Sequence, residues 1–251
     1  MSSSDGAGRI AARRGRPARA AAAAAGSACV VLLLAALAPS RRAGDVSGQV
    51  TIVERRGATS DDLEHAVVYL EVPGRRVPPE DVDQALRTGT IAMRGREFIP
   101  HVRPVVAGGS IAFPNQDPFS HNVFSNAEPG SFDLGLYRRG ASRSATFPAP
   151  GVYPIYCNIH SKMVSFAVAV PSPYVTQPAD DGRFTIADVP EGTYLLHVWH
   201  ERAAAEVTRA ITVTADGISG LRVALDAQAY VAGPHLNKFG LPYSATRSDR
   251  Y

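Results

Sequence analysis

The chain of 251 residues is 45% hydrophobic and 20% charged, which excludes a disordered or collagen-like polypeptide and suffices for one large or two small cores. Its net charge of +3 hides a division: residues 1–42 hold seven arginines against Asp5 and carry +6, and residues 43–251 carry −3. The body therefore offers no basic surface for nucleic acid, and a nucleic-acid partner is excluded.

Residues 1–43 read as an export segment. Five arginines precede Ala20–Ala38, an uncharged run of 19 residues rich in Ala, Leu and Val. A basic region followed by an apolar core is a secretory signal. As a helix rising about 1.5 Å per residue the run also nearly spans a bilayer, so a cleaved signal peptide and an uncleaved N-terminal membrane anchor both stay open. Either way the arginine-rich end faces the cytoplasm, and the body is expected to be periplasmic or otherwise extracytoplasmic. With Cys29 in the leader, export leaves Cys157 without a disulfide partner.

From residue 45 the pattern is one of short strands and turns, an all-β fold. Strands are expected at 46–53 and 66–72, followed by a loop over 73–90 with a helical turn at 80–87. Further strands are expected at 90–93, 98–106, 110–113, 122–124, 144–147, 151–156 and 164–170, with Gly108-Gly109 read as a hairpin turn. A last group falls at 183–187, 192–200, 207–213 and 221–225, with Asp180-Asp181-Gly182 as a tight turn before it. Residues 229–251 lack periodicity and read as an irregular tail.

Chemistry concentrates in two segments. One is Asn115-Gln116-Asp117-Pro118-Phe119-Ser120-His121-Asn122; the other is Cys157-Asn158-Ile159-His160-Ser161-Lys162-Met163. The second spaces its donors as Cys-x2-His-x2-Met, so one loop can present all three side chains to one point. Thiolate, imidazole and a weak thioether suit mononuclear copper, and His121 is the candidate for the second imidazole. Asn122 is the candidate for pinning the two loops through hydrogen bonds. A buried inert thiol and a Cys-His-His zinc site are the rival readings of Cys157; Met is a poor zinc ligand. His65, His101, His197, His200 and His235 read as structural or surface histidines. His197 and His200, in one strand, are expected on opposite faces.

On these residues, segment 90–171 resembles the cupredoxin (blue copper) family. The Cys157, His160 and Met163 spacing is of the amicyanin type, with Ile159 and Ser161 where such loops usually carry proline. The whole chain is similar to plastocyanin-like proteins of the methylamine-utilisation type. The resemblance implies a Greek-key β-sandwich and a type 1 copper site with His121, Cys157 and His160 in the plane and Met163 axial. Segments 45–89 and 172–228 resemble a carboxypeptidase-regulatory-like sandwich, which implies that the copper domain is inserted into a second, smaller sandwich.

The expected function is electron carriage without catalysis, with His160 as the electron port and Pro118 and Phe119 as a docking patch. The expected partner is a transient redox protein such as a cytochrome c or a periplasmic dehydrogenase, met by a monomer. Copper storage or delivery is the alternative, and a regulatory or adhesive role a third reading.

Overall fold

The computed structural model describes residues 42–56, 61–75, 77, 82–233 and 235–243. The expected leader helix lies outside them. Among the described residues no helix is long and apolar enough to cross a membrane.

In chain order the strands are β1 (Ala43–Val53), β2 (Val67–Glu71), β3 (Thr88–Thr90), β4 (Ala92–Arg94), β5 (Glu97–Ile99), β6 (Val102–Val106), β7 (Ser110–Pro114), β8 (His121–Ser125) and β9 (Phe132–Tyr137). They continue with β10 (Ser142–Thr146), β11 (Gly151–Tyr156), β12 (Val164–Val170), β13 (Val175–Thr176), β14 (Arg183–Pro190), β15 (Gly192–Trp199), β16 (Val207–Val213) and β17 (Ile218–Asp226). One short helix, α1 (Gln84–Arg87), begins where Asp83 accepts a hydrogen bond from the Ala85 N–H. The architecture is all-β.

Strands β3–β12 build one sandwich. A five-stranded sheet in the order β6-β12-β11-β8-β9 faces a three-stranded sheet in the order β10-β7-β3. Between them lie Ile111, Phe113, Val123, Phe147, Tyr153, Ile155 and Ala167, together with Cys157 and Met163. The period-2 burial of β7 and β11 supplies this core from alternate residues. Hairpin β4–β5 turns at Gly95 and Arg96, both at positive φ (68° and 65°), the conformation a two-residue hairpin requires.

The strands before and after this sandwich pair with one another. Strand β1 lies antiparallel to β14 and parallel to β17, while β2 pairs with β13 and β15. Sheets β14-β1-β17 and β13-β2-β15-β16 enclose Val46, Val50, Leu70, Phe184, Ile186, Leu196, Val198 and Leu225. Gly48 permits the close approach of β1 to β17, since a Cβ there would sit 2.4 Å from the Leu221 carbonyl oxygen. A third cluster joins the two sandwiches: Val67 of β2 meets Val102 and Val106 of β6 and Val168 and Val170 of β12.

The expected strand 90–93 divides at Ile91 between β3 and β4, β13 was not expected, and three further details depart from the sequence pattern. The run 98–106 is two strands, broken at Pro100 and His101. Gly108-Gly109 does not close a hairpin, because β6 and β7 belong to different sheets. Strand β9 was not expected. Its alternation of Phe132, Leu134 and Leu136 is interrupted by Gly135 at φ 68°, which buries Tyr137 and exposes Leu136 at 58%.

Candidate metal centre

His121 is the first residue of β8, and Cys157 follows the last residue of β11, its sheet neighbour through the Tyr156–Phe124 pair. Strand order thus brings together residues 36 positions apart. The loop from Cys157 to Met163 closes on itself: the Met163 N–H donates to the His160 carbonyl at 3.1 Å and the Cys157 N–H to the Met163 carbonyl at 3.3 Å.

Three donor atoms converge. His121 Nδ1 and His160 Nδ1 lie 3.1 Å apart, and Cys157 Sγ lies 3.8 Å from the first and 3.6 Å from the second. Donors about 2.0–2.3 Å from one ion are separated by about 3–4 Å, so this triangle has the size of a trigonal ligand set. All three residues are buried, His160 least so at 6% exposed. Met163 is buried in the same core as Cys157.

The surroundings fix which ring nitrogen faces the triangle. The Asp117 carboxylate accepts from His121 Nε2 at 2.8 Å, which leaves the Nδ1 lone pair toward Cys157 and His160. Burial lowers the His121 pKa against the pull of Asp117, favouring the neutral ring. Burial would raise the Asp117 carboxyl, but the N–H groups of Arg96 and Gly95 and the His121 ring hold it below its ordinary value. Burial also pushes the Cys157 thiol up, partly countered by the N–H groups of Asn122, Ile159 and His160. A thiol so placed becomes a thiolate when a cation takes it.

The Asn122 side chain does not tie the two ligand loops together. Its amide donates to Asp133 Oδ1 at 2.6 Å, and its backbone N–H reaches the Cys157 sulfur. Asn115 fixes the loop before His121 and ties it to β9. Its amide donates to the Phe119 and Tyr137 carbonyls at 2.8 and 3.1 Å, and its Oδ1 accepts from the Asp117 N–H at 2.9 Å. Phe119 packs its ring against His121 and His160, with centroids at 5.2 and 5.6 Å, and the Arg96 guanidinium lies over its outer face.

The sequence gives no sign of the role of residues 235–243. They are irregular, as expected of this tail, and are fastened across the ligand loop. Tyr243 donates its hydroxyl to the Cys157 carbonyl at 2.6 Å, and Lys238 donates its N–H to Asn158 Oδ1 at 3.0 Å. The Lys238 ammonium pairs with Asp133 at 2.6 Å, and the His235 ring stacks on Tyr156 at 4.2 Å.

No curated protein matches this chain. A family model described as polysaccharide lyase family 4, domain II, matches residues 169–219, the span of β13–β16. A purple cupredoxin from Nitrosopumilus maritimus is similar at 20% identity over 33% of this chain and 99% of its own, with a TM-score of 0.30. Amicyanin from Paracoccus versutus is similar at 17% identity over 41% of this chain and 98% of its own, with a TM-score of 0.32. A copper-containing nitrite reductase from Thermus scotoductus SA-01 is similar at 21% identity over 49% of this chain and 28% of its own, with a TM-score of 0.33.

The other histidines divide. His197 pairs with Glu71 and Glu206 at 3.2 and 2.9 Å on the outer face of β15. His200 is buried, its Nε2 donating to the Asp62 carbonyl at 3.1 Å and its Nδ1 accepting from the Arg202 N–H at 3.2 Å. These two share no ligand group, whereas His65 and His101 do come together.

Proposed function

We propose that this chain is an exported type 1 copper protein of cupredoxin type that carries single electrons. The observation behind the reading is the buried triangle of His121 Nδ1, His160 Nδ1 and Cys157 Sγ with edges of 3.1–3.8 Å. In this reading those residues, with Met163 from the same loop, would hold the copper. Thiolate, two imidazoles and a thioether give an ion that cycles between Cu(I) and Cu(II) with little rearrangement.

The protein's own groups do the rest. Asp117 holds the His121 tautomer, Asn115 fixes the loop that carries Asp117, and the three N–H groups directed at the sulfur spread its charge. A rigid donor set favours fast exchange of an electron because few groups move. His160, beside half-buried Phe119 and exposed Pro118, is the exit toward a transient redox partner such as a cytochrome c or a periplasmic dehydrogenase. With four protein ligands no position remains for a substrate, which favours a monomeric carrier over an enzyme. The site-bearing sandwich reads as an insertion between the two parts of the other, in keeping with the pairing of β1 with β14 and β17.

The test is an optical and EPR spectrum of the copper-loaded protein beside Cys157→Ser. An intense visible thiolate-to-copper band, lost in the variant and reversible on reduction, is expected. A wild type without that band overturns the reading, and a colourless protein that binds only Cu(I) and releases it to an acceptor points to metal delivery.

A further inference from the structure

We propose that His65, His101 and Glu201 form a second cation site, at the junction of the two sandwiches, that takes Zn²⁺. The residues come from three separate segments. His65 stands just before β2, His101 between β5 and β6, and Glu201 just after β15. One donor atom from each lies within 4.8 Å of the others. His101 Nε2 is hydrogen-bonded to Glu201 Oε1 at 2.5 Å, a contact that an ion between them would widen to about 3 Å, and the His65 and His101 rings lie 4.7 Å apart at an interplanar angle of 37°.

The environment suits a bound ion. The three side chains are 27%, 25% and 14% exposed, shielded yet open to an ion arriving from solvent. His65 Nδ1 is buried and has no hydrogen-bond partner. Such an unsatisfied buried nitrogen is destabilising, and the His65 ring has this nitrogen uncommitted to any protein group. The neighbouring cation does not neutralise Glu201, because Arg202 is directed at Glu54, at 2.6 Å, and at Asp62. The backbone of His101 is tied to β12, its carbonyl accepting from the Phe166 N–H at 2.8 Å, and its ring meets the Phe166 ring edge-on.

Donor chemistry selects the ion. Two imidazoles and a carboxylate are a recurrent zinc set that leaves a fourth position for water. An overlapping set of Asp62, His65 and His200 is as compact. Its carboxylate already faces a cation, since Arg202 holds Asp62 and His200 donates to the Asp62 carbonyl, whereas Glu201 is bonded to His101, itself a ligand of the proposed set. His65 is therefore the residue left for the His101–Glu201 pair. A zinc ion there links residues 65 and 201 of one sandwich to residue 101 of the other and acts as a clip between them.

The experiment titrates Zn²⁺ into the full chain after the Cys157 site has been filled with one equivalent of copper, with calorimetry and thermal melting as readouts. One further equivalent of zinc and a rise in Tm are expected. Glu201→Gln, which keeps the size of the side chain, and His101→Ala are expected to weaken zinc binding at least tenfold and to leave the visible copper band unchanged. Because the comparison is between wild type and Glu201→Gln, it stands even if copper does not bind at Cys157. Absence of zinc binding beyond the Cys157 site, or zinc binding that neither substitution weakens, overturns the proposal.

Discussion

Val46, Val50, Leu70, Leu196, Val198 and Leu225 fill the flanking sandwich with aliphatic carbon, and its described core cluster contains no ionisable group apart from the Tyr194 hydroxyl. At equal depth in the other sandwich lie Asn115, Asp117, His121, Asn122 and His160. The difference shows two ways of making a rigid interior. One relies on close packing, where each methylene lost is felt. The other replaces packing at one end of the core with a network of hydrogen bonds among Asn115, Asp117 and His121, so its rigidity depends on those partners being present.

The largest effect that would sharpen this contrast is in the aliphatic core. Leu196→Ala, at a fully buried position, is expected to lower stability by about 2–5 kcal/mol in urea unfolding while the copper spectrum stays unchanged. A changed spectrum would show that the two cores are coupled. Next comes the polar core. Asp117→Ala frees His121 Nε2, and copper affinity is expected to fall about 10–100-fold in competition with a chelator.

A smaller effect is expected at the tail. Tyr243→Phe removes the hydroxyl that donates to the Cys157 carbonyl, lowering stability by about 0.5–1.5 kcal/mol and speeding copper loss to a chelator. Unchanged copper release would mean that the tail is fastened to the loop without steadying it.

The smallest effect is on the outer face of β15. Burial opposes a charged His197, but Glu206 and Glu71 outweigh it and raise the ring above its ordinary 6.5. Stability from this pair is therefore full below about pH 6.5 and is lost as pH rises through the raised value. Burial would raise the Glu206 carboxyl, yet His197 and Tyr69 hold it below its usual 4.5, so the same cluster weakens again in acid. Melting curves of wild type and His197→Gln should differ by under about 1 kcal/mol and converge above neutrality.

Much of the fold was legible because short apolar strands and turn residues are local patterns, and β7, β11, β12, β15 and β16 follow them closely. The donors His121, Cys157 and His160 could be named in advance because two short segments carry them. Three features were not legible, each for a physical reason. Strand β9 hides behind the change of phase at Gly135. The side-chain partners of Asn122 and Asn115 were not legible, because β9 brings Asp133 to Asn122 and the loop over residues 115–119 folds Asn115 inward, which their spacing does not announce. The contacts of Tyr243 with Cys157 span 86 residues, and those of His65 with His101 and Glu201 join three segments; no periodicity encodes such meetings.

The antiparallel pairing of β2 with β13 sets Tyr69 opposite Val175, so the chain between them returns to its starting point. As an unfolded loop of about 100 residues, that return carries a closure entropy of about 4 kcal/mol beyond a constant. Once the intervening sandwich has folded, its two ends already lie side by side and most of that entropy has been given up. Strand β1, synthesised first, must still wait for β14 and β17. The strands of the inner sandwich meet across shorter stretches of chain, whereas β1 and β2 of the outer one meet their partners across the whole of it, and contacts of such high sequence separation are the slow ones to form.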